Sequence, residues 1–242
     1  MHRRGQMRLS DEYYHVSNRG AGESALFVDE EDYRRFLILL HIGNSARPFD
    51  SRALSKKYGD TLSFNILRQR ASKDFVDILA YSLTKGRLQL ILREKTSGGV
   101  ESFMRKVATA YSMYFNAKYR RRGTLFQGRY QSKRIIGDSH LRYTFARVHL
   151  DVLELVEPRW AEREIADRQA IRMFVSAYPY SSYRDYQGSS RIEQVLITKD
   201  ERIEKALGGK ADTEALFRYA HTDGPSVSTK DRPSYQKEGI TP

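Results

Sequence analysis

The sequence predicts an α+β fold: an antiparallel sheet with helices packed on it, followed by a C-terminal helical appendage. Two observations carry that expectation. The first is a pair of apolar runs, Phe75–Leu83 and Leu88–Leu92, on either side of Thr84-Lys85-Gly86, which reads as a β-hairpin buried on at least one face. The second is the order of elements around it. A strand and a helix precede the hairpin and a long helix follows, the opening of a ferredoxin-like split β-α-β sheet. After the hairpin turn the side chains alternate, with Leu88, Leu90 and Leu92 on one face and Arg87, Gln89, Ile91 and Arg93 on the other. Arg87 and Gln89 therefore stand side by side on a strand expected to be central, either in water or as the floor of a site.

The bulk composition narrows the partners. The chain has 242 residues, long enough for one large domain or one domain with appendages. Its formal net charge is +12 and its pI is about 9.8, which favours a polyanionic partner, nucleic acid before membrane. Sixteen Tyr against one Trp suit surfaces that are half apolar and half wet. With no cysteine there can be no disulfide, thiolate metal site or Cys nucleophile. No window approaches the roughly 20 apolar residues of a membrane span, and Met1-His2-Arg3-Arg4 leads into polar sequence rather than a signal peptide. A cytoplasmic, nucleoid-associated location is expected.

Taken in order, residues 1–11 read as a basic arm carrying Arg3, Arg4 and Arg8. Tyr13–Val16 reads as a strand ending at the turn signal Asn18-Arg19-Gly20, with His15 as a strand residue rather than a metal ligand. Asp29 is a good N-cap, and Glu30, Glu31 and Asp32 suit the first turn of a helix whose buried stripe is Tyr33, Phe36, Leu37 and Leu40. Residues 43–73 lose periodicity and read as an insertion, with a short helix at Ser51–Tyr58 and an added strand near Leu62–Leu67. After Thr96–Gly99 a long helix runs to about Tyr119, with Val100, Phe103, Met104, Val107, Tyr111, Tyr114 and Phe115 along its apolar stripe.

The segment Ala117–Arg134 is where the charge collects. It holds seven basic residues and no acidic one, interleaved with aromatics and glycines. Basic groups hold phosphates, aromatic faces stack unpaired bases, and glycines let the backbone come close, so this stretch reads as a nucleic-acid contact rather than a solvated helix end. Lys133–Ile136 should be a strand, and Asp138 should cap a helix over Ser139–Leu153. Tyr178–Tyr186 should pack an aromatic segment back onto the sheet. The balanced charges of Arg191–Arg218 and a break at Gly208-Gly209 predict two short helices in a solvated appendage over 187–221, and residues 222–242 have the composition of a disordered tail.

Four of these stretches share motifs with one family. Tyr14-His15-Val16-Ser17-Asn18-Arg19-Gly20 resembles its opening Y-H-V-x-N-R-G, and Ala80, Tyr81, Leu83, Leu90 and Leu92 match its A-Y-x-L-M-P-N-H-x-H-L-L-L. Tyr114–Tyr130 is similar to Y-F-N-x-x-Y-x-R-x-G-x-L-F-Q-G-R-[FY], and Tyr178–Tyr186 to P-W-S-S-Y-x-x-Y. The family is the REP-associated tyrosine transposases, the insertion-sequence-200-like branch of the His-hydrophobe-His single-strand endonucleases. The resemblance spans roughly residues 12–186 and implies a ferredoxin-like fold, a single-stranded or hairpin DNA partner, a tyrosine nucleophile, and Mg²⁺ or Mn²⁺ held by two histidines and a third side chain. At the histidine positions this chain has Arg87 and Gln89. Against the family's R-Y-I-H-L-N-P, matched here by Val148-His149-Leu150, Arg147 falls at the tyrosine and Asp151 at the asparagine.

Arg is permanently protonated and cannot ligate a cation, and a Gln carbonyl is a weak ligand. Arg147 and Asp151, spaced i, i+4, can pair on a helix, with Arg87 facing them. A polar, salt-bridged plug is expected where the resemblance would place the metal, with no metal or other cofactor. Tyr143, one helical turn before Arg147, is the candidate substitute nucleophile, whereas His140 and His149 face opposite ways and do not chelate. The expected contacts to nucleic acid are the arm (Arg3, Arg4, Arg8) with Arg19, Lys118, Arg120, Arg121 and Arg122. Phe126, Gln127, Arg129, Tyr130, Lys133 and Arg134 complete the set. The expected function is DNA binding without metal-dependent cleavage. The alternatives are an active tyrosine nickase with a rearranged site, and an RNA-binding or scaffolding module on the same sheet.

Overall fold

The structure, a computed structural model, describes residues 9–22, 24–47, 66–67, 73–158, 160–161, 167–208 and 212–222. The arm with Arg3, Arg4 and Arg8, most of the 43–73 insertion and the tail beyond residue 222 lie outside the described residues.

Strands β1 (Leu9–Arg19), β2 (Val76–Thr84), β3 (Arg87–Thr96) and β4 (Gln131–Ile135) form one antiparallel sheet in the order β2-β3-β1-β4, the ferredoxin-like arrangement. The hairpin turn is Lys85-Gly86, and it fixes the register Leu83↔Leu88 and Tyr81↔Leu90. A slip of one residue would carry Leu88, Leu90 and Leu92 to the wrong face, so the burial of those three side chains locks the pairing. Gly20 ends β1 because nothing larger fits: a Cβ there would lie 1.9 Å from the Ser24 carbonyl oxygen. That close approach lets the Gly20 N–H donate to the Gly86 carbonyl at 3.1 Å and ties the end of β1 to the hairpin tip.

The two faces of the sheet carry two cores. Leu88, Leu90, Leu92 and Val16 pack against α1 (Glu30–Gly43) and α2 (Gly99–Lys118) through Phe36, Leu40, Val107 and Tyr111. Tyr13, Leu79, Ala80, Ile91 and Ile135 pack against α3 (Gly137–Leu150) through Leu141, Phe145 and Val148. Each such fully buried side chain contributes roughly 1.5–3 kcal/mol relative to exposure. The Asp29 cap forms as expected: its side chain accepts from the Asp32 N–H at 3.1 Å, and Asp32 reaches back to the Asp29 N–H at 3.3 Å. Asp138 is not a cap. Ile136 holds the N-cap position, while Asp138 sits in the first turn and pairs with Arg202 at 2.7 Å. Helix α3 also ends earlier than expected, and Asp151–Leu155 continues as a 3₁₀ turn.

Beyond α3 the chain adds α4 (Arg168–Ala177), α5 (Tyr183–Tyr186), α6 (Glu201–Leu207) and α7 (Thr213–Thr222). Ile203, Leu207, Leu216 and Phe217 join the second core, so α6 and α7 pack over α3, whereas Leu196 joins the first core. The Tyr178–Tyr186 segment lines the outer edge of β2: Ser182 N–H donates to the Tyr81 carbonyl and Leu83 N–H to the Tyr180 carbonyl, both at 2.9 Å. The Tyr178 hydroxyl adds a bond to the Leu83 carbonyl at 2.8 Å. The other edge, β4, stays short and exposed over Gln131–Arg134, and its charges discourage pairing with another chain. Among the described residues no helix is long and apolar enough to cross a membrane.

Candidate functional site

Register places a row of polar side chains on the face that α3 covers. Ser82 of β2 lies opposite Gln89 of β3, Gln89 opposite Ser17 of β1, and Ser17 opposite Gln131 of β4. One step toward the hairpin, Arg87 lies directly opposite Arg19, and one step the other way His15 lies between Ile91 and Lys133. Helix α3 brings Arg147 over this floor, and the turn after it brings Asp151, whose side chain is only 7% exposed.

Asp151 is the centre of the arrangement. Its Oδ2 accepts from Arg87 Nη1 at 2.7 Å and from the Gln89 amide nitrogen, and its Oδ1 lies 3.5 Å from Arg147 Nη2. The carboxylate accepts only, so the amide nitrogen of Gln89 must point at it and the amide oxygen must point away. That oxygen meets His15 Nε2 at 2.9 Å, so Nε2 carries the hydrogen and Nδ1 is left with the lone pair. Burial pushes the His15 pKa below its ordinary value, and Arg87 adds to the effect. The guanidinium of Arg147 also rests over the Trp160 ring, 4.7 Å from its centroid.

A divalent cation does not fit this donor set. The carboxylate that would ligate it is already flanked by two guanidinium groups, and the adjacent amide oxygen is engaged by His15. Among the described residues no group of three His, Asp or Glu side chains is placed to hold a metal ion. Tyr143 lies on the partly exposed side of α3, one turn before Arg147. His140 and His149 serve the fold: the Ile136 N–H donates to His140 Nδ1 at 3.2 Å, and His149 is fully buried. His149 lies 2.9 Å from the Phe145 carbonyl through Nδ1 and 2.9 Å from Ser182 Oγ through Nε2, and burial pushes its pKa down to about 3.

The basic stretch folds into a loop that sorts its residues into two groups. One group turns inward. Phe126, expected as a stacking face for bases, is 8% exposed and packs with Tyr111, while Leu125 is buried beside it. Lys118, expected at a phosphate, is held by Asp29 at 2.8 Å, Asp32 at 3.0 Å and Glu31 at 3.1 Å, which raises its pKa against the opposing cost of burial. The other group faces out. Arg120, Arg122, Gln127, Arg129, Lys133 and Arg134 are exposed, Arg121 and Tyr130 partly so, and Arg19 bonds Gln127 from the neighbouring strand. Arg129 is paired with Glu101 at 2.9 Å and Arg134 with Glu12 at 2.8 Å. Among the described residues no carboxylate pairs with Arg120, Arg122 or Lys133.

Three residues gain roles that local sequence does not announce. Asp32 is fully buried and accepts from Tyr114 at 2.9 Å and from Tyr119 at 2.8 Å as well as from Lys118, so it fastens the end of α2 to the start of α1. His15 joins the site through Gln89, its diagonal neighbour on the adjacent strand, rather than through any local motif. Ser82 lies on the floor with its hydroxyl buried and without a hydrogen-bond partner, and the indole N–H of Trp160 is likewise unpartnered.

No family model matches the chain, and no curated protein matches it. Among solved structures it is similar to a REP-associated tyrosine transposase bound to a REP hairpin, at 12% sequence identity and a TM-score of 0.44, over 83% of this chain and 92% of that one. That likeness is loose, and the reading of function stands on this chain's own side chains.

Proposed function

We propose that this chain is a DNA-binding protein derived from a tyrosine transposase, one that holds single-stranded or hairpin DNA and does not cut it through a metal. One arrangement carries the reading: Arg87 and Arg147 close on Asp151 at positions where the resemblance calls for a metal ligand, a phenol and an asparagine. The surface that meets DNA is the outward side of the basic loop with the neighbouring strand ends, formed by Arg19, Arg120, Arg122, Arg129 and Lys133. Attraction between these cations and phosphates gives an affinity that falls steeply with salt.

The test is a binding and cleavage assay on hairpin DNA with and without Mn²⁺. Binding that is unchanged by EDTA, with the strand left intact, supports the proposal. Cleavage that depends on Mn²⁺ contradicts it. A second reading keeps cleavage, with Tyr143 as nucleophile, because Tyr143 is partly exposed one turn from Arg147. It requires a covalent adduct that disappears in Tyr143→Phe. An equal or greater affinity for RNA of the same sequence would favour an RNA-binding module instead.

A further inference from the structure

The floor of the sheet carries more positive charge than its own residues neutralise. Arg19 and Arg87 are direct cross-strand partners, a pairing of like charges that destabilises a ladder unless an anion lies nearby. Arg147 approaches from α3, and Lys133 sits on the same face beside His15. Among the described residues Asp151 is the carboxylate that answers the two guanidiniums touching it, so the group of four cations keeps a surplus.

The donors are also incompletely used. Arg87 engages Asp151 through Nη1 and Arg147 through Nη2, which leaves the other N–H groups of both forks available to a second anion. Their side chains are 46% and 30% exposed, so that anion can reach them. Ser82, buried beside Gln89 on the same floor, has a hydroxyl with no partner.

We infer that this floor holds the terminal phosphate of a DNA strand directly on Arg87 and Arg147, the inference resting on the DNA-binding reading above. A planar guanidinium matches phosphate oxygens two at a time, and two forks around one group suit an anion with three free oxygens. A backbone diester offers two free oxygens and one charge. A terminal phosphate offers three and close to two charges at neutral pH, which better balances the surplus. Asp151 holds the two guanidiniums at a fixed spacing while the anion is absent.

The experiment uses the full chain in EDTA and a labelled hairpin with a single-stranded tail, ending in a hydroxyl, a 5′-phosphate or a 3′-phosphate. The expected result is that one phosphorylated end binds about tenfold more tightly than the hydroxyl end, and that Arg87→Gln and Arg147→Gln abolish the preference while keeping hairpin binding. Millimolar inorganic phosphate should erase the preference without displacing the hydroxyl-ended hairpin, and the same phosphate displacing all three hairpins equally would overturn the inference as a mere ionic effect. Equal affinity for all three ends would overturn it too and leave DNA binding intact. Failure to bind any of the three would instead remove the DNA-binding reading. The comparison of ends uses the unaltered protein, so it decides the matter even if a variant does not fold.

Discussion

Gln89 is oriented by Asp151. The carboxylate takes the amide N–H, which turns the amide oxygen toward His15 Nε2 at 2.9 Å and fixes which imidazole nitrogen holds the hydrogen. A polar chain thus runs from a helix turn through the central strand to its neighbour, where the resemblance would have set a metal between imidazoles. The same carboxylate anchors Arg87 and Arg147, so four side chains depend on one charge.

Asp151→Asn should lower stability and raise affinity for DNA together. The substitution keeps the shape but removes the charge that both guanidiniums face, which costs about 1–3 kcal/mol. It also leaves the floor more positive, so binding at low salt should tighten. Urea unfolding and fluorescence anisotropy measure the two effects. A variant that is weaker in both would mean that Asp151 acts only as a scaffold.

The outward and inward halves of the basic loop should separate by mutation. Arg120→Ala with Arg122→Ala should reduce the slope of log affinity against log salt by about 2, since two phosphate contacts are lost, with little change in stability. Phe126→Ala should cost about 3–5 kcal/mol of stability, as truncation of a buried aromatic does. An unchanged salt slope in the double variant would place the DNA elsewhere.

Asp32→Ala should be among the most damaging single changes. It strips three side-chain donors, Tyr114, Tyr119 and Lys118, of a fully buried acceptor, and loss of one partner of a buried charged group costs about 3–5 kcal/mol. Lys118→Met should cost less, because the two tyrosine hydroxyls still bond Asp32. Chemical denaturation of the two variants checks the order.

Stability should fall as the medium is acidified. Burial holds the pKa of His149 at about 3 and lowers that of His15. Below about 6.5 the unfolded chain takes up protons that the folded chain refuses, so each such histidine contributes up to about 1.4 kcal/mol of lost stability per pH unit. For His149 the loss runs from about 6.5 down toward 3. Urea midpoints measured between neutral and mildly acidic pH should show this trend, and His149→Gln should flatten it.

The parts of this molecule written in local pattern were readable from sequence. The alternation of Leu88, Leu90 and Leu92 foretold both faces of β3, and Asp29 foretold the start of α1 because a cap bonds within its own turn. The i, i+4 spacing foretold the Arg147–Asp151 pair, with Arg87 facing it. What escaped were contacts made at long separation. Composition cannot say which way a loop closes: Gly123 and Gly128 adopt left-handed backbone at φ 91° and 69°, and between them Leu125 and Phe126 turn inward while the arginines turn out. Lys118 looked available because its partners lie 86 to 89 residues away, and His15 looked isolated because Gln89 is 74 residues distant.

The measurement that bears most directly on the central claim is a denaturing gel of the protein incubated with labelled hairpin DNA and Mn²⁺, run beside a binding curve in EDTA. The account predicts full binding in EDTA and an intact strand with no protein attached. A labelled strand migrating covalently bound to the protein would contradict it.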